Sequence, residues 1–300
     1  YIKDNNVQLV IIIDHQGFNM PLAKWCKKQG VRVVSVVAPQ FWIWGQREKA
    51  KAFVSNCDLI ACIFKEEYVF YQALDAKKSI FIGHPLVQEL PERAGLDEVK
   101  NVIGVFPGSR PQEIAHVFPI ICKAIHLLQS KYPALQFKLA LASKNMRHRI
   151  QKVIDNTGVT MDIVNTDSRT LMAQVDGSIV ASGTITLEHA LIGTPCVCCY
   201  KFSWLSYCFL RIFMQKKIDT VCYGFIALPN ILLKKRVVPE LLQSKLTPES
   251  IVDEVEKNIL NKTNKLIIQT EMKALRQQIG KENGGFKELV EKIVKQFDLK

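Results

Sequence analysis

The sequence predicts two successive α/β domains, each a parallel sheet flanked by helices. Three observations lead there. Apolar runs of strand length alternate with helical stretches, which is the pattern of repeated β-α-β units. The alternation pauses at a polar stretch from about Pro91 to Lys100 and then restarts. Three hundred residues with 48% hydrophobic content suffice for two medium cores.

The elements follow in order. Val7–Ile13 is a continuous β-branched run, as expected of a strand covered on both faces. Asn19–Gln29 reads as a helix ended by Gly30, and Val31–Val37 as the next strand. Lys49–Ser55 is helical, Leu59–Phe64 a strand, Glu66–Ala73 a short helix and Ser79–Ile82 a short strand running into Gly83-His84-Pro85. Beyond the polar stretch, Val102–Phe106 is a strand, Pro107-Gly108-Ser109-Arg110 a turn, Ile114–Lys131 one long helix and Gln136–Ala142 a strand. Weaker β-α signals continue through Met161–Val164 to Ser178–Ala181. The boundaries expected are 1–95, 96–246 and 247–300, the last a charged helical tail that packs back on the body through the amphipathic piece Phe286–Phe297.

Composition excludes several classes. An ordinary charged fraction argues against disorder. The net charge of +12 points to anionic partners, whether phosphate, anionic lipid or nucleic acid. Basic residues are scattered and no reader motif appears, so nucleic acid is the weakest of these. The nine cysteines form no repeated C-x-x-C pair and do not cluster with histidines, which argues against a metal site and fits reduced thiols in a cytosolic protein. Cys198 and Cys199 read as small apolar residues of a buried strand. No apolar stretch approaches bilayer-spanning length. Phe202–Lys217 carries Trp204, Tyr207, Phe209 and Phe213 with Arg211, Lys216 and Lys217. It is either a core helix or one resting on an anionic membrane surface.

Ser182-Gly183-Thr184 joins a strand to a helix that carries Glu188 one turn in. A small-residue turn there offers free N–H groups at the positive end of the helix dipole to a diphosphate, while a carboxylate at Glu188 suits ribose hydroxyls. Gly108, Ser109 and Arg110 repeat the strand–turn–helix setting, with a guanidinium able to neutralise phosphate. Asp14 ends the first strand as a base, a positioning group or a helix cap. His84 ends another strand, as a substrate contact or a structural residue. Asn230 and Glu240 either finish the nucleotide pocket or satisfy loop backbone. There is no P-loop lysine, no Gly-x-Gly-x-x-Gly and no nucleophile-elbow spacing.

Taken in order, these blocks resemble lipid-A-disaccharide synthases: Ile13-Asp14 through Phe18-Asn19, Ala38-Pro39-Gln40 with Trp42 and Trp44, and Phe81-Ile82-Gly83-His84-Pro85-Leu86. So do Phe106–Arg110 with Glu113, Ala181–Glu188 with Gly193-Thr194-Pro195, Leu228-Pro229-Asn230-Ile231-Leu232, and Val238–Gln243. The resemblance spans nearly the whole chain. It implies a GT-B fold of two Rossmann-like domains, the first expected to be incomplete because the family's Gly-Glu-x-Ser-Gly-Asp opening has no counterpart here. It implies transfer of 2,3-diacylglucosamine from its UDP derivative to 2,3-diacylglucosamine 1-phosphate, with inversion and without metal or other cofactor. UDP-sugar contacts then fall to Gly108, Ser109, Arg110, Ser182, Gly183, Thr184, Glu188, Asn230 and Glu240. Trp204, Tyr207, Phe209, Arg211 and Phe213 face the membrane. The implied location is cytoplasmic and peripheral on the inner membrane of a Gram-negative-type bacterium. Its anionic surface is a partner, and a homo-oligomer is left open.

One departure concerns chemistry. The family reads Ile-Asp-x-Pro-Asp-Phe-Asn where this chain has Ile13-Asp14-His15-Gln16-Gly17-Phe18-Asn19, so the favoured general base is replaced by Gly17. Asp14 and His15 are the remaining candidates. The alternative is a catalytically impaired member that binds UDP-sugar or acyl lipid.

Overall fold

The structure, a computed structural model, describes residues 1–75, 77–92, 100–181, 185–201, 224–281 and 285–298. The membrane-facing candidates Trp204, Tyr207, Phe209, Arg211 and Phe213 lie outside the described residues, as do Ser182, Gly183 and Thr184. The chain divides into two compact units: residues 1–88 with 277–300, and residues 89–276.

The first unit holds a parallel sheet in the order β1-β2-β3-β4. Its strands are β1 (Leu9–Ile13), β2 (Arg32–Val36), β3 (Leu59–Cys62) and β4 (Ser79–Phe81). Between them run α1 (Gln16–Lys28), α2 (Phe41–Trp44), α3 (Arg47–Asn56) and α4 (Lys65–Gln72), followed by α5 (Leu86–Glu89). Ala23 and Cys26 of α1, Phe41 of α2, Phe53 and Val54 of α3 and Tyr71 of α4 share one core with Ile12, Val33, Ile60 and Cys62. One face of the sheet is therefore covered by the connecting helices, as right-handed crossovers stepping in a single direction require.

Two expectations change here. Helix α1 starts at Gln16 rather than Asn19, and the Asn19 amide reaches back from inside the first turn to the carbonyls of Ile13 (2.9 Å) and Asp14 (2.7 Å). Strand β1 is not covered on both faces: it is the sheet's edge, and Ile11 and Ile13 are 51% and 63% exposed. A β-branched run identifies a strand but not its place in the sheet order.

The second unit holds a parallel sheet in the order β10-β9-β8-β5-β6-β7. These strands are β5 (Val102–Phe106), β6 (Gln136–Ala140), β7 (Asp162–Val164), β8 (Gly177–Ala181), β9 (Cys196–Tyr200) and β10 (Glu240–Leu242). The central strands β5 and β8 are almost wholly buried, and Cys196, Cys198 and Cys199 are buried within β9 without a disulfide. The long helix expected over 114–131 is two helices, α6 (Pro111–His116) and α7 (Phe118–Lys131). Pro119 accounts for the break, since it has no N–H to donate and its ring excludes the preceding turn. Then come α8 (Arg147–Thr157), α9 (Ser168–Gln174), α10 (Ile185–Ile192) and α11 (Leu228–Leu233). Helices α12 (Pro248–Val255) and α13 (Lys262–Ile279) flank a five-residue π-helical stretch, Glu256–Leu260. The buried ammonium of Lys265 lies 3.0 Å from Asp176, whose other oxygen accepts the N–H groups of Lys100 and Val102 and so fixes the start of β5. The last helix, α14 (Gly285–Phe297), returns to the first unit and buries Leu289, Ile293 and Phe297.

Candidate functional site

At the carboxyl ends of β5, β6 and β8 lies a cleft of about 380 Å³, lined among others by Gly108, Ser109, Arg110, Ala142, Ala181, Ile185 and Glu188. Strand ends of an open parallel sheet are where its ligands sit, because the loops and helix N-termini converge there. The volume falls within the range of small-molecule sites.

The turn after β5 is shaped by Gly108 and Glu113. Gly108 has φ +96°, and a Cβ there would stand 2.3 Å from Glu113 Oε2. That oxygen accepts the backbone N–H groups of Ser109 (3.0 Å) and Arg110 (3.2 Å). The carboxylate thereby satisfies donors just before α6, whose first residue is Pro111, a residue suited to that position. Arg110 is left 73% exposed, its guanidinium 3.5 Å from Glu113 Oε1.

On the other wall, Glu188 Oε1 accepts from Nε (3.3 Å) and Nη2 (3.1 Å) of Arg169, and Arg169 Nη1 reaches Glu89 at 3.2 Å. Arg169 thus fixes the rotamer of Glu188 through a planar fork. Residue typing along the sequence missed this arginine; its one signal is its place in the first turn of a helix capped by Asp167, which accepts from Thr170 N–H at 3.0 Å. We predict that Arg169→Ala leaves the fold intact but weakens nucleotide affinity by about three- to tenfold, the scale of one lost charge-assisted positioning contact. Calorimetric titration with UDP measures it, and unchanged affinity would show that Glu188 needs no such clamp.

Beneath the cleft, His189 is fully buried. Its ring stands edge-on to Phe106 at 5.0 Å, and Nδ1 lies 2.8 Å from the Ile185 carbonyl. Burial lowers its pKa from the usual 6.5 to about 4. Between those values the unfolded chain takes up a proton that the folded chain refuses. The contribution of the neutral His189 to stability is therefore full above about pH 6.5, declines as pH falls and is gone below about 4. The loss reaches up to about 3 kcal/mol, and urea midpoints across this interval should flatten in His189→Phe.

The other candidates are placed elsewhere. Asn230 is fully buried, and its Oδ1 accepts the N–H groups of Val237 and Val238, both at 2.8 Å. Its Nδ2 donates to the Val238 carbonyl (2.7 Å) and to Glu240 Oε1 (3.2 Å). The same Glu240 oxygen accepts from the N–H of Ile226 (3.0 Å) and of Ala227. Burial raises the Glu240 pKa, against the pull of those N–H groups. These two residues bind the start of α11 to β10 and do not line the cleft. Ala181 and Ile185, which flank Ser182–Thr184, do line it.

In the first unit, Asp14 and His15 end β1 with consecutive left-handed backbone, φ 48° and 42°. The Asn19 amide stabilises this unfavourable turn. The helix cap is His15, with no side-chain capping bond, so Asp14 does not cap α1. Gly17 sits in the first turn of α1 with open space beside it: a Cβ there would meet nothing within 4 Å. His84 packs on Phe64 at 5.2 Å, and its Nδ1 lies 3.3 Å from the Leu86 N–H. Among the described residues, no group of His, Cys, Asp and Glu is placed to hold a metal ion, and no helix is long and apolar enough to cross a membrane.

A family model described as lipid-A-disaccharide synthetase matches residues 1–294. The chain belongs to the lipid-A-disaccharide synthase family. It is 34% identical over 302 residues to the lipid-A-disaccharide synthase of Geobacter metallireducens, covering 98% of this chain and 76% of that one. The enzyme of Coxiella burnetii is 33% identical over 94% of this chain and 74% of its own length. Members of the lipid-A-disaccharide synthase family are glycosyltransferases of lipid A biosynthesis, and this chain is one of them. Solved structures of low identity share its fold. A UDP-GlcNAc 2-epimerase from Neisseria meningitidis bound to UDP-GlcNAc aligns with TM-score 0.60 at 14% identity, over 98% of this chain and 78% of that one. A UDP-GlcNAc 2-epimerase from Methanocaldococcus jannaschii gives 0.53 at 12%, over 100% and 79%. The two parallel sheets are thus those of a GT-B-like fold, as the sequence led one to expect.

Proposed function

We propose that the cleft of the second unit binds the UDP moiety of UDP-2,3-diacylglucosamine and that the chain transfers the sugar to 2,3-diacylglucosamine 1-phosphate. The observation that carries this reading is the joint lining of one cleft by the Gly108–Arg110 turn and by Glu188. An exposed guanidinium beside a glycine turn suits a diphosphate, and a fixed carboxylate suits ribose hydroxyls. The Neisseria relative in fold is itself bound to UDP-GlcNAc. In an inverting transfer the acceptor 6-hydroxyl attacks the anomeric carbon, its proton passes to a base, and the bond to the diphosphate breaks. Arg110 then offsets the charge that develops on the leaving UDP. Asp14, or its neighbour His15, is the base in this scheme, and His84 is a substrate contact. Both substrates carry acyl chains, and the basic charge favours an anionic membrane surface, which supports peripheral work on the cytoplasmic side of the inner membrane. Self-association is compatible with this scheme and is not required by it.

Gly17 favours a second reading, a member that holds UDP-sugar with little turnover. A transfer assay that counts UDP and disaccharide together separates the two. If Asp14 is the base, Asp14→Asn lowers kcat by about a hundredfold or more with UDP affinity unchanged. If the base is lost, wild type and Asp14→Asn are equally slow, and Gly17→Asp, which has open space around it, restores turnover.

A further inference from the structure

The chain enters the second unit at Glu89 and leaves it at Arg276. Both points are fastened to α10, the helix that carries Glu188 into the cleft. The first fastening runs through Arg169 of α9. Its Nη1 lies 3.2 Å from Glu89, while its Nε and Nη2 donate to Glu188 Oε1. The second runs through Arg276, near the end of α13. Its Nη1 donates to the Leu191 carbonyl (2.6 Å) and its Nη2 to the Leu90 carbonyl (2.7 Å). Glu89 and Leu90 are adjacent, and Glu188 and Leu191 stand about one turn apart on one side of α10. The two arginines are therefore the rungs of a short ladder between the entry segment and this helix. The second rung has a clear local cause. Leu191 lies in the last turn of α10, and the residue four places on is Pro195, which has no N–H to offer its carbonyl. The Arg276 guanidinium serves that carbonyl and complements the negative end of the helix dipole. Leu90 is buried, and its carbonyl is met by the other arm of the same planar fork. Two turns earlier on α13, Gln269 Nε2 reaches the Gly193 carbonyl just past α10 (3.3 Å). Arg276 borders a hollow of about 320 Å³ at this far end of α10, with Glu92, Gln269 and Lys273, and does not line the nucleotide cleft.

We infer, on the reading that the cleft binds UDP, that Arg276 and Glu89 are positioning residues of the nucleotide site. Neither touches the nucleotide. Through the ladder they hold α10 from its back and from its flank, so that Glu188 and the start of the helix keep the geometry the cleft requires. The effect runs both ways, because coupling between two parts of a molecule is reciprocal. UDP seated at the front of α10 orders the segments by which the chain enters and leaves the unit, and the order of those segments in turn favours UDP. Glu89 adds to this by holding Nη1 of Arg169, which leaves Nε and Nη2 turned toward Glu188.

The test combines amide exchange with calorimetric titration by UDP on the wild type, Arg276→Gln, Glu89→Gln and Lys273→Gln. In the wild type, UDP should slow exchange of residues 89–90 and 274–276 by about threefold or more, together with that of 185–189. In Arg276→Gln and Glu89→Gln, UDP should still protect 185–189 but no longer 89–90. Affinity should fall by about three- to tenfold in the first and by about twofold in the second. Glu89 is exposed, so its variant should keep the wild-type unfolding midpoint, and its weaker binding is then not the result of a looser fold. Lys273→Gln removes an exposed charge from the same hollow without touching the ladder and should match the wild type in both measurements. Protection of 89–90 that persists in both ladder variants would overturn the inference, as would unchanged UDP affinity in Arg276→Gln. UDP binding that protects 185–189 but leaves 89–90 unprotected in the wild type overturns this inference alone. No binding of UDP by the wild type overturns the proposed function and this inference with it.

Discussion

Replacing Gly108 by alanine is expected to weaken nucleotide affinity by about tenfold or more. At φ +96° a side chain is strained, and the new methyl carbon would stand 2.3 Å from Glu113 Oε2. Either the backbone leaves its left-handed conformation or the Glu113 carboxylate is pushed away. Both routes free the N–H groups of Ser109 and Arg110 from the oxygen that holds them, and the turn that presents Arg110 to the cleft loses its shape. We expect UDP affinity to fall by about tenfold or more, equal to about 1.4 kcal/mol, with a stability cost of about 1–2 kcal/mol. Glu113→Gln separates the causes. It keeps the shape and an acceptor oxygen but weakens charge-assisted bonds, so its effect should be smaller than that of the alanine at 108. An equal affinity in Gly108→Ala and wild type would show that this turn does not hold the nucleotide.

The second large effect is on stability. Asn230→Ala removes four hydrogen bonds in a fully buried place and strands the N–H and carbonyl of Val238, while the Val237 N–H keeps only the Lys235 carbonyl at 3.1 Å. Unsatisfied buried groups cost about 1–3 kcal/mol each, and sharing among neighbours keeps the sum near about 3–5 kcal/mol. Asn230→Asp should be nearly as harmful. It retains an acceptor for the two N–H groups but turns an oxygen toward the Val238 carbonyl and Glu240, where a donor is needed. Urea midpoints of the three proteins decide this, and an aspartate variant as stable as wild type would contradict the assigned amide orientation.

These two residues also show what was legible in the sequence. Strands β3, β5, β8 and β9 were visible because strands buried on both faces must be continuous apolar runs. The turn at Gly108 was visible because glycine and a following helix start are local signals. Arg169 was not, since its partner Glu188 lies nineteen residues away across two elements, and nothing local marks a pairing made by tertiary structure. Asn230 and Glu240 were legible as polar residues at element ends, but sequence cannot say whether such a group faces ligand or backbone. The exposed face of β1 was hidden for a related reason: sheet order, not composition, makes a strand an edge. The split of the expected helix at Val117 was open to a stricter reading of Pro119.

The central claim is that the cleft at the ends of β5, β6 and β8 holds UDP. Amide hydrogen exchange with and without saturating UDP tests it most directly. Exchange is predicted to slow in residues 108–113 and 185–189, with β1 and α14 unaffected. Binding that leaves those two segments unprotected, or no binding at millimolar UDP, would contradict it.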